Sequence, residues 1–572
     1  LIAGNEQNYR ITITREDAGD TDAVLDRLAQ LLPLTDEDIE ETRKEIARRS
    51  PTLPITVADR LSWENFSRVA VNAPALPGVT TEVGLSRIYP LGADFAHVLG
   101  YVGPVSDYDL SKLSDPDPLL QIPRFQIGKL GVEARMESDL RGKAGTRRIE
   151  VNATGRVMRE LNRKEGDAGK NVEITIDQKL QNYVLARLGE DSAAAMVIDV
   201  QTGDILASAS APSFDPNLFV RGISGPDYRA LTEDDHRPLA DKAVQGAYPP
   251  GSTFKMVTAL AALEAGVISP DETVYCRGFT ELGNRRFHCW KRAGHGHMDL
   301  VEGLEQSCDV YFYEIAQRAG IENISAMARR LGIGEKFDLP MSAISEGLAP
   351  DKAWKVRKYG KDWLIGDTFN SGIGQGFVLA SPLQLAVMSA RLATGRAVMP
   401  RLIRTIDGND LALAEPPEIG LNENHLRAVR KGMFQVANSR RGTAYGSRIV
   451  DDTMRMAGKT GTSQVRNISA AERARGVTSN DDLPWERRDH ALFVSFAPFD
   501  DPKIAVSVVV EHGGGGSTAA APIARDIVLQ ALNDGFPPLT AYPESQRTRI
   551  EAERKALPLR DQQAPSGGSS RA

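Results

Sequence analysis

Apolar residues follow two different spacings along the chain, and the change between them outlines its second half. Alternation from Ala194 to Ala211 predicts a hairpin with a turn at residues 201–204. The same alternation predicts three later strands, over residues 455–464, 490–497 and 504–510. Helical spacing dominates residues 252–438 and returns at residues 521–532. Strands separated by a long helical stretch favour an α+β fold, in which helices are segregated from an antiparallel sheet.

The first 170 residues have a different pattern and contain no cluster of catalytic side chains. A short helix is predicted at residues 22–32. The segment from Thr35 to Asp38 resembles a capping box that opens a charged helix to about Arg49. Proline and glycine then punctuate short apolar pieces. We interpret this region as a non-catalytic scaffold or spacer.

Composition and charge exclude several classes of protein. Apolar residues make up 41% and charged residues 25% of the 572 residues, which is typical of a globular chain with two or more domains. The net charge of -7 gives no case for nucleic acid or an anionic membrane surface as the main partner. No run of about 18 apolar residues is present, so no spanning helix is predicted within the chain. Leu1 begins what resembles the inside of a folded segment, so we expect a preceding piece.

The stretch from Tyr248 to Lys255 places a hydroxyl and an amine one helical turn apart. Pro250 and Gly251 break any preceding helix, so a helix is predicted to begin at Ser252. In such a helix Ser252 and Lys255 share one face, which suits a nucleophile and its base. A Ser-x-x-Lys pattern alone arises by chance in most chains of this length, so its context decides its meaning.

Two later motifs supply that context. Ser307, Cys308 and Asp309 precede a predicted apolar helix, and the run from Lys459 to Thr462 lies in a predicted strand. The order Ser-x-x-Lys, then a Ser-x-Asn-like triplet, then Lys-Thr-Gly is the signature of penicillin-binding proteins and active-site serine β-lactamases. Three motifs in this order, each in a fitting local structure, are a specific signal.

The Ser-x-x-Lys motif, the triplet that begins at Ser307, and Lys459 of the third motif can be assigned to proton transfer. A serine hydroxyl needs a neighbouring base, and an amine can serve when burial and a second cation favour its neutral form. Here Lys459 is the predicted second cation for Lys255. Ser307 would sit between the two lysines and relay a proton to the leaving amine, which is a general-acid role.

The last motif can be assigned to binding of the substrate. A strand that carries Thr460 and Thr462 can pair with an extended peptide, while their hydroxyls hold a carboxylate. The backbone N–H groups of Ser252 and Thr462 would form an oxyanion hole.

Three cysteines fall within residues 276–308, and the sequence leaves several interpretations open. One disulfide with one free thiol, three free thiols, and a metal site that adds a histidine all remain possible. The separations are too wide for a zinc-finger knuckle, so spacing alone is poor evidence for a metal. The candidate ligands are Cys276, Cys289, His295 and Cys308, with His288, His297 and Asp299 as alternates.

With these motifs in place, the chain resembles the class B penicillin-binding proteins over nearly its whole length. Residues 171–545 resemble their transpeptidase domain. Their pedestal or dimerisation-type module, expected over residues 1–170, is matched by three short segments, at residues 87–90, 96–103 and 131–133. The resemblance implies an α+β transpeptidase domain with an antiparallel sheet, helices on both sides and a helical subdomain, behind an elongated N-terminal pedestal. Residues 546–572, which are polar and end in a Gly- and Ser-rich run, would be a disordered tail.

The resemblance also implies a reaction. Ser252 would attack the D-Ala-D-Ala amide of a peptidoglycan stem peptide, release D-Ala, and pass the acyl group to an amine on a neighbouring strand. β-Lactams would acylate the same serine. Asp309, where most relatives have asparagine, fits the elongation-specific penicillin-binding protein 2 subfamily.

Three alternatives are weighed against this reaction. A division-specific class B transpeptidase and a penicillin-sensing or scaffold protein without turnover would share the motifs. A serine β-lactamase would share them too, but the size of the first region argues against it. The lack of an evident Glu-x-x-Leu-Asn element, which would position a deacylating water, is a second argument against it.

The remaining expectations also come from the resemblance. The implied substrate-binding residues are Thr460, Gly461, Thr462, Gln375 and Gly376, the last two from a glycine-rich loop. Some members of the subfamily carry a zinc site, so Cys276, Cys289, His295 and Cys308 would hold a structural zinc ion. One N-terminal helix, outside this chain, would anchor the protein in the cytoplasmic membrane with the catalytic domain on the outer side. The implied partners are stem peptides, β-lactams, a membrane glycosyltransferase of the shape, elongation, division and sporulation class, and other elongation-complex proteins.

Overall fold

The computed structural model describes residues 1–112, 117–121, 125–151, 157–220, 222–469, 472, 475–533 and 535–560. Two regions, each with its own antiparallel sheet, follow one another along the chain. None of the described helices is both long and apolar enough to cross a bilayer.

The first region is organised around β1 (Gly4–Thr14), which pairs with β2 (Pro54–Leu61) on one side and β3 (Val79–Ile88) on the other. Its helices are α1 (Arg15–Ala18), α2 (Thr21–Leu31), α3 (Asp36–Arg48), α4 (Trp63–Val71), α5 (Ala96–Leu99), α6 (Asp107–Ser111), α7 (Gly131–Arg135) and α8 (Glu137–Arg141). Two further pairs of strands are β4 (Val102–Pro104) with β5 (Gln126–Gly128), and β6 (Thr146–Val151) with β7 (Val157–Lys164).

The helix predictions in this region are confirmed, but its three-stranded sheet was not predicted. Thr35 Oγ1 accepts from the Asp38 N–H at 3.2 Å, and the Asp38 carboxylate accepts from the Thr35 N–H at 2.8 Å, so the capping box opens α3 as expected. In β1 only Ile11 and Ile13 are fully buried apolar residues, and they pack with α2, α3 and α4. An alternation of two apolar residues is too short to indicate a strand, which explains the miss.

The second region contains a five-stranded antiparallel sheet in the order β10-β9-β19-β18-β17. Its strands are β9 (Ala193–Asp199), β10 (Ile205–Ala211), β17 (Ala457–Ser463), β18 (His490–Ala497) and β19 (Ile504–Val510). The predicted hairpin and the three predicted later strands are therefore confirmed. A further strand, β8 (Val172–Ile174), pairs with β15 (Ile403–Ile406) and, through it, with β16 (Asn409–Asp410). Because β17 is the last strand of the large sheet, no described strand pairs with its outer side.

Helices cover both faces of the large sheet. The helices of this region are α9 (Gln178–Leu188), α10 (Asn217–Val220), α11 (Gly225–Glu233), α12 (Lys255–Glu264), α13 (Leu300–Glu305), α14 (Asp309–Arg330), α15 (Lys352–Tyr359), α16 (Ile365–Gly372), α17 (Pro382–Thr394), α18 (Glu423–Asn438), α19 (Ala521–Asn533) and α20 (Arg547–Ala556). In β9, Val197 lies in one apolar cluster with Val184 of α9 and Ile527 of α19, whereas Met196 packs with Leu383 of α17. Such alternation is what a strand buried on both faces requires, and it confirms the predicted α+β fold.

Helices α12, α13, α14, α16 and α18 pack together beside the sheet and form the expected helical subdomain. The stretch predicted to be mostly helical also contains strands, among them two short antiparallel pairs. Strand β11 (Val274–Cys276) pairs with β14 (Gly296–Met298), and β12 (Phe279–Leu282) pairs with β13 (Arg285–His288). These strands carry the cysteine-rich segment to the side of the active-site cleft.

The C-terminal residues depart from the prediction of disorder from residue 546 onwards. Helix α20 is well formed, and Ile550 is buried in the apolar cluster that includes α9 and α19. The guanidinium of Arg554 lies 4.9 Å from the ring centroid of Tyr542 and 5.5 Å from that of Phe536, so a helix of charged residues is held by apolar and cation–π contacts. The Gly- and Ser-rich run at residues 564–570 lies outside the described residues.

Candidate active site

Ser252 lies in a single 3-10 turn, Gly251–Phe254, that is held between two neighbouring backbones. The Gly251 N–H donates to the Gly374 carbonyl oxygen at 2.8 Å. Gly251 has a φ of +54°, and a Cβ at this position would lie 2.6 Å from the carbonyl oxygen of Thr462. Only glycine allows both this dihedral and this approach, so the Pro-Pro-Gly sequence fixes the serine against β17.

Lys255 begins α12, so the α-helix starts three residues later than predicted. Its side chain is fully buried. The ammonium donates to Asp309 Oδ1 at 2.7 Å, to the carbonyl oxygen of Ser307 at 2.9 Å and to Ser307 Oγ at 3.2 Å. The Ser-x-x-Lys motif and the Ser-x-Asp motif therefore form one hydrogen-bonded unit.

Ser307 occupies the corner between α13 and α14. Its φ is +53°, an uncommon conformation for a residue with a side chain, which costs about 1–3 kcal/mol and is held by the surrounding structure. The Cys308 N–H donates to the Gly303 carbonyl oxygen at 2.9 Å, which closes the end of α13. The corner sends Ser307 towards the lysines, Cys308 towards the other cysteines, and Asp309 towards Lys255.

Lys459, on β17, approaches Ser307 from the other side. Its ammonium is fully buried and donates to Ser307 Oγ at 2.9 Å and to the Thr460 carbonyl oxygen at 3.1 Å. The structure thus brings Ser307 Oγ between the two lysines, as the sequence predicted. Burial, and then the charge of Lys255, hold the pKa of Lys459 well below its ordinary value. Burial likewise raises the pKa of the Asp309 carboxyl, although the Lys255 cation opposes that shift.

Thr460 and Thr462 stand two residues apart on the edge strand and line the same cleft as Ser252. Gly461 between them lets the turn that carries Ser252 approach, because a Cβ there would lie 2.9 Å from the Pro250 carbonyl oxygen. The backbones of the Ser252 turn and of Thr462 are therefore adjacent, which is the arrangement that an oxyanion hole from their two N–H groups needs.

The glycine-rich loop after α16 reaches the same strand. Gln375 Nε2 donates to the Thr462 carbonyl oxygen at 3.0 Å, and Gly374 is the partner of Gly251. Gly376 has a φ of +73° and lines the cleft beside Asn370. Both loop residues that were predicted from the sequence therefore lie at the site.

These side chains surround a cleft of about 830 Å³. Among the lining residues that were not predicted from the sequence, Trp290 and Thr443 contact residues of the motifs. Trp290 donates its backbone N–H to Asp309 Oδ2 at 3.0 Å and its indole N–H to the Ser307 carbonyl oxygen at 3.1 Å. Thr443 Oγ1 lies 2.7 Å from Thr460 Oγ1. The position of Trp290 directly after Cys289 was a signal that could have found it, whereas nothing in the spacing marks Thr443.

The four predicted metal ligands come together next to this cleft. The sulfurs of Cys276, Cys289 and Cys308 and a ring nitrogen of His295 all lie within 4.8 Å of one another. His295 Nδ1 is 3.6 Å from Cys276 Sγ and 3.5 Å from Cys289 Sγ. All three cysteines are buried and none is joined in a disulfide, so the disulfide alternative is wrong for this structure. Hydrogen bonding from Cys308 lowers the pKa of the Cys289 thiol to about 3, so the cluster already favours a thiolate.

The alternate ligands lie elsewhere. His297 packs against the ring of Tyr275 at a centroid distance of 5.0 Å. Asp299 caps α13 by accepting the Glu302 N–H. His288 packs against Phe279 at 6.2 Å and is not part of the four-residue cluster.

Comparison with known proteins identifies the family of this chain. Residues 193–529 match the penicillin binding protein transpeptidase domain, and residues 1–174 match the penicillin-binding protein dimerisation domain. The peptidoglycan D,D-transpeptidase MrdA of Haemophilus influenzae is 36% identical over 97% of this chain and 86% of its own length. The chain belongs to the penicillin-binding protein family.

Two solved structures show how far the likeness extends. The penicillin-binding protein PBP2 of Helicobacter pylori, in complex with MreC, matches with a TM-score of 0.80 and 28% identity over 93% of this chain and 96% of its own. The second structure is described as "Structural coordination of polymerization and crosslinking by a peptidoglycan synthase complex". It matches with a TM-score of 0.69 and 28% identity, over 93% of this chain and 88% of its own. The predicted resemblance to penicillin-binding protein 2 and the predicted fold are confirmed.

Proposed function

We propose that this protein is a peptidoglycan D,D-transpeptidase of the elongation-specific class B type. The observation that carries the proposal is the position of Ser307 Oγ, which receives hydrogen bonds from the buried side-chain nitrogens of Lys255 and Lys459 and lines the same cleft as Ser252. This arrangement is a proton path between a nucleophile and a leaving group. The family membership and the 36% identity to the peptidoglycan D,D-transpeptidase MrdA support the same reaction.

In the first half of the proposed reaction, Ser252 Oγ attacks the carbonyl carbon of the D-Ala-D-Ala amide. Its proton passes to the neutral amine of Lys255 as the new C–O bond forms. The developing oxyanion is stabilised by the N–H groups of Ser252 and Thr462. Ser307 then relays the proton to the amide nitrogen, the C–N bond breaks, and D-Ala leaves with its carboxylate against Thr460 and Thr462. The product is an ester on Ser252.

In the second half, the amine of a neighbouring stem peptide attacks that ester. The amine proton returns along the same path to Ser252 Oγ as the ester C–O bond breaks. The edge position of β17 supports this step, because an extended peptide can add to the open side of the strand by main-chain hydrogen bonds. A β-lactam, which carries a strained amide and a carboxylate, would enter by the first half-reaction and remain as an ester.

Labelling with a fluorescent penicillin tests the proposal and separates the alternatives. A long-lived adduct on the wild type that is lost in Ser252→Ala is the expected result. Ser517→Ala is the matched control, because this second serine lines the same cleft and has no place in the proton path. Rapid turnover of the adduct would indicate a β-lactamase, and a stable adduct without cross-linking of stem peptides would indicate a sensor. A folded protein that forms no adduct would overturn the proposal.

The cysteine cluster is proposed to hold a structural zinc ion. Ligand atoms of a tetrahedral zinc site lie roughly 3.5–3.8 Å apart, and the two sulfur-to-nitrogen distances of 3.6 and 3.5 Å agree with that spacing. Thiolate and imidazole are the ligands that zinc prefers, and four protein ligands leave no open position for catalysis. Bound there, zinc would supply a cross-link that fixes the segments on either side of Ser307.

Metal analysis tests this assignment. We expect close to one equivalent of zinc in the purified protein, and its loss in Cys289→Ser together with a lower melting temperature. Chelation of the wild type should lower the melting temperature in the same way, and added zinc should restore it. A metal-free wild type that is equally stable would overturn the zinc assignment and leave the reaction untouched.

The cellular setting is proposed from the family. The protein would act outside the cytoplasmic membrane, held by a single N-terminal helix, together with a membrane glycosyltransferase and other elongation proteins. The PBP2 structure in complex with MreC and the peptidoglycan synthase complex support such partners. The test is cross-linking of newly polymerised glycan with and without the glycosyltransferase. Cross-linking that is equally fast with preformed glycan and no polymerase would contradict the partnership.

A further inference from the structure

Thr443 lies on the wall of the active-site cleft, in the turn that follows α18. Its Oγ1 is 2.7 Å from Oγ1 of Thr460, and both residues line the cleft that contains Ser252. None of the three sequence motifs includes Thr443. A contact of this length between two hydroxyls is a hydrogen bond, and it joins the substrate strand to a different element of the fold.

The backbone holds Thr443 firmly in this position. Gly442 makes a close approach, since a Cβ there would lie 2.3 Å from the carbonyl oxygens of Gln435 and Val436. The Thr443 N–H donates to the carbonyl oxygen of Glu305 at 3.3 Å. The carboxylate of Glu305 is buried and pairs with Arg441 at 3.2 Å. The turn is therefore fixed on both sides of Thr443, which places its hydroxyl against Thr460.

The number of hydrogens that each group can donate indicates which threonine is the donor in this hydrogen bond. A carboxylate only accepts hydrogen bonds, and each threonine hydroxyl has one hydrogen to donate. When Thr460 donates its hydrogen to a substrate carboxylate, its oxygen can still accept one from Thr443. Thr443 as the donor leaves the Thr460 hydrogen free to point into the cleft, whereas the reverse direction would turn that hydrogen away from the substrate.

We propose that Thr443 is a positioning residue that donates its hydroxyl hydrogen to Thr460 and so aims the Thr460 hydroxyl at the carboxylate of the substrate. The inference rests on the proposed function, because it takes Thr460 as a ligand of the terminal carboxylate of D-Ala-D-Ala. It adds a specificity determinant to the site: Thr443 selects substrates that carry a negative charge on the leaving group. Hydrogen bonds in such a chain polarise one another, so the Thr443 donor also strengthens the bond from Thr460 to the carboxylate.

The experiment compares two acyl donors that differ only in that charge. One is a benzoyl-D-alanyl thioester of mercaptoacetate, which has a free carboxylate, and the other is its methyl ester, which is neutral. Ser252 attacks the thioester carbonyl in both, and the released thiol is measured. We expect Thr443→Val to lower kcat/KM about tenfold for the charged donor and to leave the neutral donor within about twofold of the wild type. Thr443→Ser, which keeps the hydroxyl, should restore kcat/KM for the charged donor.

A change that merely loosened the fold would lower kcat/KM for both donors together. The ratio of the two kcat/KM values therefore separates a positioning role from a structural one. An equal loss of kcat/KM for both donors, or no loss for either, would overturn the inference. The proposed function would still stand if Ser252→Ala abolished the release of thiol. In a Thr460→Val background, Thr443→Val should have no further effect, because its partner is gone. An undiminished effect in that background would also overturn the inference. A wild type that releases no thiol from either donor would overturn the proposed function itself.

Discussion

The two lysines of the active site share one hydrogen-bond partner and differ in everything else around them. Lys255 and Lys459 are both fully buried and both donate to Ser307 Oγ, at 3.2 and 2.9 Å. Lys255 also contacts the Asp309 carboxylate at 2.7 Å, whereas the second partner of Lys459 is a neutral carbonyl oxygen. A buried ammonium without a counterion is costly, so its proton is the one that the surroundings disfavour.

This difference gives the two sides of Ser307 different roles. On the Lys255 side, Asp309 compensates the charge, and Trp290 fixes Asp309 through its backbone N–H at 3.0 Å. On the Lys459 side, the strand carries threonine hydroxyls and no described acid is hydrogen-bonded to the lysine, so an arriving carboxylate can act as its counterion. The asymmetry suits a site that must keep one base in place and attract one anion.

The largest expected effect separates the lysines directly. Lys255→Met removes the proposed base and leaves Asp309 buried without its cation, so we expect acylation by penicillin to slow about a thousandfold. Lys459→Met leaves Lys255 and its partners Ser307 and Asp309 in place, so it should slow acylation roughly tenfold to a hundredfold. The second-order rate constant for adduct formation is the measurement, on variants whose melting curves show that they are folded. Equal losses, or a larger loss for Lys459→Met, would contradict the division of roles.

The next test changes the charge balance without removing a lysine. The Asp309 carboxylate partly offsets the lowering of the Lys459 pKa, so Asp309→Asn should lower that pKa further. Because the proposed reaction needs Lys459 as a cation beside Lys255, the rate falls as Lys459 loses its proton, and the alkaline limb of the rate profile should move to lower pH, by about one unit. Asp299→Asn makes the same change of charge at the cap of α13 and is the control. A limb that stays in place, or moves to higher pH, would contradict the electrostatic account.

The sequence predicted the members of the site better than their connections. Ser252, Lys255, Ser307 and Lys459 could be found because three short motifs occur in a fixed order, and each motif carries its chemistry within a few residues. The prediction paired Lys255 with a second cation, and it did not show that Asp309 would be the nearest charge. That contact depends on the corner at Ser307, whose positive φ is a property of the folded chain and not of any spacing.

The same limit applies to residues that reach the site through tertiary packing. Thr443 and Thr460 are 17 positions apart, on a turn and a strand, and the packing of α18 against β17 brings their hydroxyls together. In the first region, β1 was missed because its partners lie about 50 and 70 positions away and its own apolar alternation is short. Local patterns therefore predicted most of the helices and the five strands of the large sheet, whereas long-range pairing decided the rest.

The smallest expected effect concerns Trp290, which stabilises the Lys255 side alone. Its indole N–H donates to the carbonyl oxygen of Ser307, the same oxygen that accepts from Lys255 at 2.9 Å. Trp290→Phe keeps a ring beside His295 and removes this donor, so acylation should slow about threefold. Trp485→Phe, whose ring packs against His512 away from the lysines, is the control. A loss as large as that of Lys459→Met would mean that the position of the Ser307 backbone, and not the charge around Lys255, sets the difference between the two lysines.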